Sequence, residues 1–276
     1  GVYFNIAHNE NKITEMPDNY IEENYTFGNG NYAYRREEGR PMGSFYGYRY
    51  KGVYQNKDAT YARDIEGNVM KDISGNAIVM RNGSYTVAPG DAIYEDVNHD
   101  GVINQYDIVY LGNSNPRLTG GAGLNVSYKQ FKLSAIFYGR YGQDVVNATR
   151  LNNESMRGID NQSTAVLRRW RNEGDQTDIP RALYGEGYNT LGSDRFVEDA
   201  SYLRLKSLSF TYRLPKKAIQ RWGFNNIDVY VTGYNLFTWT KYTGQDPEVK
   251  TENTYARDTA TTPASIQLVA GFNLSF

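Results

Sequence analysis

Cysteine is absent from the 276 residues, which excludes disulfides, thiol nucleophiles and thiolate metal sites and leaves the redox compartment open. Histidine is almost absent: His8 and His99 are the only 2 imidazoles. His8 falls in an alternating segment and His99 at an outward position of an acidic loop, so neither is read as a catalytic base. Charge of one sign is missing too. A net charge of -1 offers no basic field for nucleic acid and no patch for an anionic surface. No run approaches the roughly 20 apolar residues of a membrane helix, and the mean hydropathy is -0.67. Neither fact bears on a barrel, where only alternate residues meet lipid and polar loops dilute the average. A P-loop, a G-x-S-x-G elbow, an H-E-x-x-H helix and an intact G-x-G-x-x-G are also lacking. Neighbouring carboxylates such as Glu37 and Glu38 sit in charged runs, with no positioned acid pair for hydrolysis. The chain is not read as an enzyme.

What is present is aromatic and glycine-rich: 25 tyrosines, 27 glycines and 14% aromatic residues, a composition suited to strands whose ends meet a wet boundary. From Ser265 to Phe276 the chain alternates. Ile266, Leu268, Ala270, Phe272, Leu274 and Phe276 share one face, and Ser265, Gln267, Gly271, Asn273 and Ser275 the other, with Val269 the misfit. The same alternation recurs in six segments, expected at 2–13, 119–129, 131–141, 201–214, 226–239 and 265–276. On the fourth, Arg204 and Lys206 fall in phase with Leu208, Phe210 and Tyr212, so that strand is expected to leave the apolar layer at its first end. The chain opens on Gly1, already inside an alternating segment, and is expected to be the C-terminal part of a longer polypeptide, with a mature processed protein as the alternative.

The connections alternate in length. Long ones at 14–117, 142–200 and 240–264 are separated by a tight turn at Lys129-Gln130 and a compact basic link from Pro215 to Asn225. Outer-membrane barrels sort their loops this way, short on the periplasmic side and long outside, whereas a soluble sandwich has no physical reason to. The expected fold is therefore all-β, the C-terminal portion of a large antiparallel transmembrane β-barrel with long extracellular loops. Six strands cannot close alone, and open edges in hydrocarbon would cost several kcal/mol per unpaired group.

The segment from Asp96 to Asp107 places oxygen side chains at positions one, three, five, nine and twelve, as Asp96, Asn98, Asp100, Asn104 and Asp107. Gly101 is at position six, and the Val102 carbonyl is available at seven. This is the spacing of an EF-hand-type calcium loop, with aspartate replacing the usual final glutamate and with two asparagines lowering the charge. The alternative is a loop of Asx-turns in which the same side chains bind only backbone amides. The cluster Arg168-Arg169-Trp170-Arg171 could grip an anionic or sugar ligand but reads more simply as a solvated face within a loop.

The order of local motifs resembles the C-terminal region of SusC/RagA-type TonB-dependent outer-membrane transporters. The matching pieces are Gly39-Arg-Pro41-Met-Gly43-Ser-Phe45-Tyr-Gly47-Tyr48, Pro89-Gly90-Asp91 running into the acidic loop, Leu111-Gly112-Asn113 with Pro116, and Thr119-Gly120-Gly121. They continue with Tyr202-Leu-Arg204-Leu205-Lys206, Tyr212-Arg-Leu-Pro215, Tyr234-Asn235-Leu236-Phe237-Thr238 and Gly244-Gln-Asp246-Pro247-Glu248. The resemblance implies a barrel of about 22 strands around a plug, in the cell outer membrane of a Gram-negative, Bacteroidetes-like bacterium. It further implies a SusD-like surface lipoprotein as lid, uptake of oligosaccharide or peptide fragments, and energy from TonB. The plug domain and TonB contact are missing from this stretch and are expected in a missing N-terminal part, with the remainder of the same barrel as a further partner. Outer-membrane lipid is the expected surround, and no nucleic acid is a partner. The competing reading is a secreted, calcium-stabilised β-sandwich that binds carbohydrate.

Overall fold

The computed structural model describes residues 1–17, 23–24, 26–252 and 255–276. Small parts of the first and third long connections, residues 18–22, 25 and 253–254, lie outside the described residues. Six long strands form one antiparallel sheet in chain order: β1 (Val2–His8), β2 (Leu118–Tyr128), β3 (Phe131–Tyr141), β4 (Tyr202–Arg213), β5 (Asn226–Thr240) and β6 (Gln267–Ser275). β1 stops at His8 instead of running on to Ile13. Asn9 still donates to the Arg117 carbonyl, but Ile13 already exchanges amide bonds with Gly39 and Arg40 in the loop. β2 and β3 meet at a two-residue turn in which Lys129 takes φ 53°. Between β4 and β5 the basic link folds into a short helix, Lys216–Ile219, and a 3-10 turn, Gln220–Trp222.

Directly paired residues share a face, and the register sorts the two faces. One apolar row runs Val2, Leu124, Ala135, Leu208, Gly233, Leu268 across all six strands, and the next runs Val126, Leu133, Phe210, Val231, Ala270. Most large side chains of this face are open, with Phe4 79% exposed, Leu268 74% and Phe272 68%, while the small Ala135 is buried among its neighbours. The opposite face carries Asn125, Ser134, Ser209 and Thr232 in one row, stitched by bonds of 2.7 Å from Ser134 to Asn125 and 2.8 Å between Ser209 and Thr232. Val269 lies on this polar face opposite Thr232. The rings of Tyr3 and Tyr230 cover Gly123 and Gly271 there, in space that a Cβ would fill, the aromatic-over-glycine device of curved sheets. A β-sandwich needs a second sheet over its apolar face. Among the described residues no such layer covers this one, which overturns the sandwich alternative.

A β-bulge corrects the reading of the fourth strand. The β3–β4 register slips at Lys206, between the pairs Ile136–Ser207 and Phe137–Leu205, and the β4–β5 register slips at the same level, where Asn235 takes φ 53°. The extra residue breaks the phase. Leu203 and Leu205 therefore continue the apolar face opposite Trp239 and Phe237, while Arg204 turns to the polar face opposite Tyr138 and Thr238. The two cations therefore do not mark an exit of this strand from the apolar layer.

The core lies in the long connections, away from the sheet. Tyr46, Tyr48, Tyr94, Ile103 and Leu191 bury together in one cluster, and Tyr32, Phe45, Val146, Leu151 and Phe196 in another. Short strands knit the connections to one another. Asp144–Asn147 and Val197–Asp199 from the second share a sheet with Tyr255–Asp258 from the third, and the first meets the second at the bridges Asn29–Leu191 and Tyr48–Ser193. Much of the tyrosine excess is spent here, on packing rings against rings at centroid distances such as 5.7 Å for Tyr48 and Tyr94.

Candidate functional site

The polar face carries its densest chemistry at the end nearest the long connections. The bulge brings Arg204 to the inside, where it is 2% exposed. Its guanidinium donates through Nε to Thr238 Oγ1 at 2.8 Å, through Nη1 to Glu248 Oε2 at 2.9 Å and through Nη2 to Asp246 Oδ1 at 2.5 Å. It also lies over the ring of Tyr202, 5.3 Å from its centroid. Lys206 adds a second cation, with Nζ 2.9 Å from Glu248 Oε2 and 5.9 Å from the Tyr138 ring centroid. Asp246 further accepts from the amides of Glu248 and Ala264, both at 2.9 Å. Burial pushes the Asp246 carboxyl up, but those amides and Arg204 outweigh it and leave its pKa below the ordinary value. Removing one partner from a buried pair of this kind costs about 3–5 kcal/mol.

Above this cluster, a cavity of about 480 Å³ separates the second connection from the third. Its lining includes Arg150, Glu154, Arg168, Thr243, Gln245 and Asp258, and no aromatic side chain. Arg150 is held at 3.0 Å from Glu154 and 3.3 Å from Glu198, and Thr243 is fixed to Glu198 through its amide at 2.9 Å. Of the cluster Arg168 to Arg171, only Arg168 faces this cavity. Trp170 is buried against Gly90, while Arg169 and Arg171 bond the carbonyls of Val166 and Leu167.

The acidic loop is brought together as a chain of Asx-turns. Asp96 accepts from the amides of Asp100 and Gly101 at 3.2 and 2.8 Å, and Asn98 from Asp100 at 3.2 Å. Asp100 accepts from Val102 at 2.7 Å. Asp107 is fully buried and accepts from Val97 and Asn104, each at 2.8 Å. Asn104 caps the turn through Tyr106 and donates to the Val102 carbonyl at 3.0 Å. Gly101 takes φ 80°, the left-handed turn that returns the chain toward Asp96. Among the described residues no three His, Asp or Glu side chains are gathered as metal ligands. Each carboxylate nonetheless keeps acceptor sites beyond its amide bonds. His99, at φ 55°, is exposed at the tip.

Two features escaped sequence reasoning. The bulge at Lys206 has no marker beyond the clash between an apolar strand and two cations in phase with it. The pairing of Asp91 with Arg181, at 2.7 Å, joins segments too distant for any local pattern.

No protein-family model matches the chain. It is 33% identical over 257 residues to TonB-dependent receptor P3 of Formosa agariphila, covering 91% of this chain and 23% of that protein. It is 27% identical over 282 residues to TonB-dependent receptor SusC of Bacteroides thetaiotaomicron, covering 99% of this chain and 24% of that one. A solved structure described as the RagAB peptide transporter superposes over 100% of this chain and 27% of its own, with a TM-score of 0.70 and 25% identity. The chain thus spans about a quarter of the length of these relatives. Its two-faced antiparallel sheet is a portion of a transmembrane β-barrel wall. Over nearly its whole length the chain is similar to SusC/RagA-like TonB-dependent transporters.

Proposed function

We propose that this chain supplies six consecutive wall strands of an outer-membrane importer that takes up glycan or peptide fragments in a Gram-negative, Bacteroidetes-like cell. The observation that carries this is the uncovered apolar face, continuous across all six strands, set back to back with a hydrogen-bonded polar face. Lipid satisfies the first and a wet lumen the second. The three long connections stand outside the cell, where a SusD-like lipoprotein caps them. The remainder of the barrel pairs with β1 and β6, and a plug in that remainder takes energy from TonB. Deleting the parent gene and growing the strain on a panel of oligosaccharides and peptides tests this: loss of growth on a defined class supports import, and unchanged growth and uptake on every member counts against it.

The acidic loop belongs to the same proposal as a calcium site of modest affinity that stiffens the outer face. Asp96, Asn98, Asp100, Asn104 and Asp107 would supply side-chain oxygens and Val102 its carbonyl. Their spacing and the turn at Gly101 support it.

A further inference from the structure

The cavity between the second and third connections has one wall braced from within and another held at a distance. On the second connection, Arg150, Asn147 and Glu154 are tied to one another's neighbours through Glu198 and Arg195. On the third, Thr243, Gly244 and Gln245 form the facing wall. That wall hangs between two clamps: Thr243 on Glu198, at 2.8 Å through its hydroxyl, and Asp246 with Glu248 on the bulged cations Arg204 and Lys206. Among the described residues the side chains of Gln245, next to Asp246, and of Arg168 across the cavity make no hydrogen bond or ion pair, and both are exposed. The cavity therefore offers free donors on a wall whose place is set from below.

The bulge explains why the clamp exists. In unbroken alternation Arg204 would share the face of Leu208 and Phe210, outside. One extra residue at Lys206 turns it inward, and the side chain spends its donors on Thr238, Asp246 and Glu248 together. A guanidinium fork is suited to that task, and a point charge such as ammonium is not.

We propose that Arg204 is a positioning residue, which through Asp246 fixes the Thr243–Gln245 wall of the third connection against the second. The inference rests on the reading of the third connection as facing outside. It is tested in the full-length parent with its lid, on intact cells, by adding trypsin and following cleavage after Lys250 and Arg257. Arg204→Met and Asp246→Asn are each expected to raise the cleavage rate at least tenfold, while heat-modifiable gel mobility shows the barrel intact. Arg204→Lys should fall between wild type and Arg204→Met. Arg213→Met, which breaks an exposed pair with Asp228 at the short-turn end, should leave the rate unchanged. Asp246→Asn lies outside the strands and decides the matter if Arg204→Met fails to assemble. Wild-type cleavage in both variants with the barrel intact overturns the proposal. If no variant is cut on cells but the pattern appears in detergent, the outward placement fails and the positioning role stands.

Discussion

Arg181 closes on Asp91 from 90 residues further along the chain, with Nε 2.7 Å from Oδ1. Asp91 has no exposed surface, and its oxygens also accept from Tyr85, Ala88 and Asn189. The first and second connections are therefore joined by a buried carboxylate with one charged partner. Arg181→Met strands that charge and should loosen the junction by about 3–5 kcal/mol. Asp91→Asn, which removes the charge as well, should cost less. Hydrogen exchange at Ala92–Tyr94 and at residues 188–190 reads both, and equal exchange in the two variants would show that the charge is unimportant.

The acidic loop should take up calcium with a dissociation constant of about 10⁻⁴ to 10⁻³ M, the extracellular grade. Titration calorimetry on the chelator-treated parent should register one site, and Asp100→Ala should abolish it while leaving the barrel intact. Asp107→Ala should be more harmful, since that carboxylate also holds the amides of Val97 and Asn104. Absence of any heat up to 10 mM calcium in the wild type, on the order of ten times the weakest such constant, would leave the loop as a set of Asx-turns.

The clamp on the third connection should release in acid. Asp246 has its pKa lowered from an ordinary 3.8, so its contribution is complete above that value and fades as pH falls through the lower, folded one. Exchange at residues 245–264, corrected for intrinsic rates, should be flat from neutral pH down to about 4 and rise below it. A rise centred near neutrality would implicate another group.

The face assignment makes opposite demands on neighbouring positions of β6. Leu268, opposite Gly233 on the apolar face, should lose about 2–4 kcal/mol on substitution by arginine if it sits near the midplane. Asn273→Lys, on the face of Asp228, should be tolerated. Surface yield and heat-modifiable mobility compare them, and equal damage would reverse the faces.

The strands were legible because a one-sided environment imposes a period of two on side chains, and in β2, β3 and β6 only single residues such as Ile136 and Val269 fall out of that period. β1 was read too long because residues 9–13 keep an extended, mixed pattern after pairing has passed to the loop. Arg204 and Lys206 were misplaced because a single inserted residue reverses every later side chain, and the pairing that reveals it is made with β3, far off in sequence. The loop body was illegible in another way. Its core is assembled from tyrosines scattered through three connections, so no window of sequence contains it. The acidic loop was legible in spacing, but the same oxygens that would hold a cation also satisfy Asx-turns.

Lack of cysteine in these 276 residues leaves no native thiol in this stretch to compete with introduced, spin-labelled single cysteines, once any cysteine elsewhere in the parent is replaced. In the full-length parent reconstituted in bilayers, labels at Leu124, Val231 and Leu268 should be relaxed by oxygen and shielded from a water-soluble nickel chelate. Labels at Asn125, Thr232 and Gln267 should show the reverse. The same aqueous accessibility at both sets would contradict the account, since the apolar face would then not be turned to lipid.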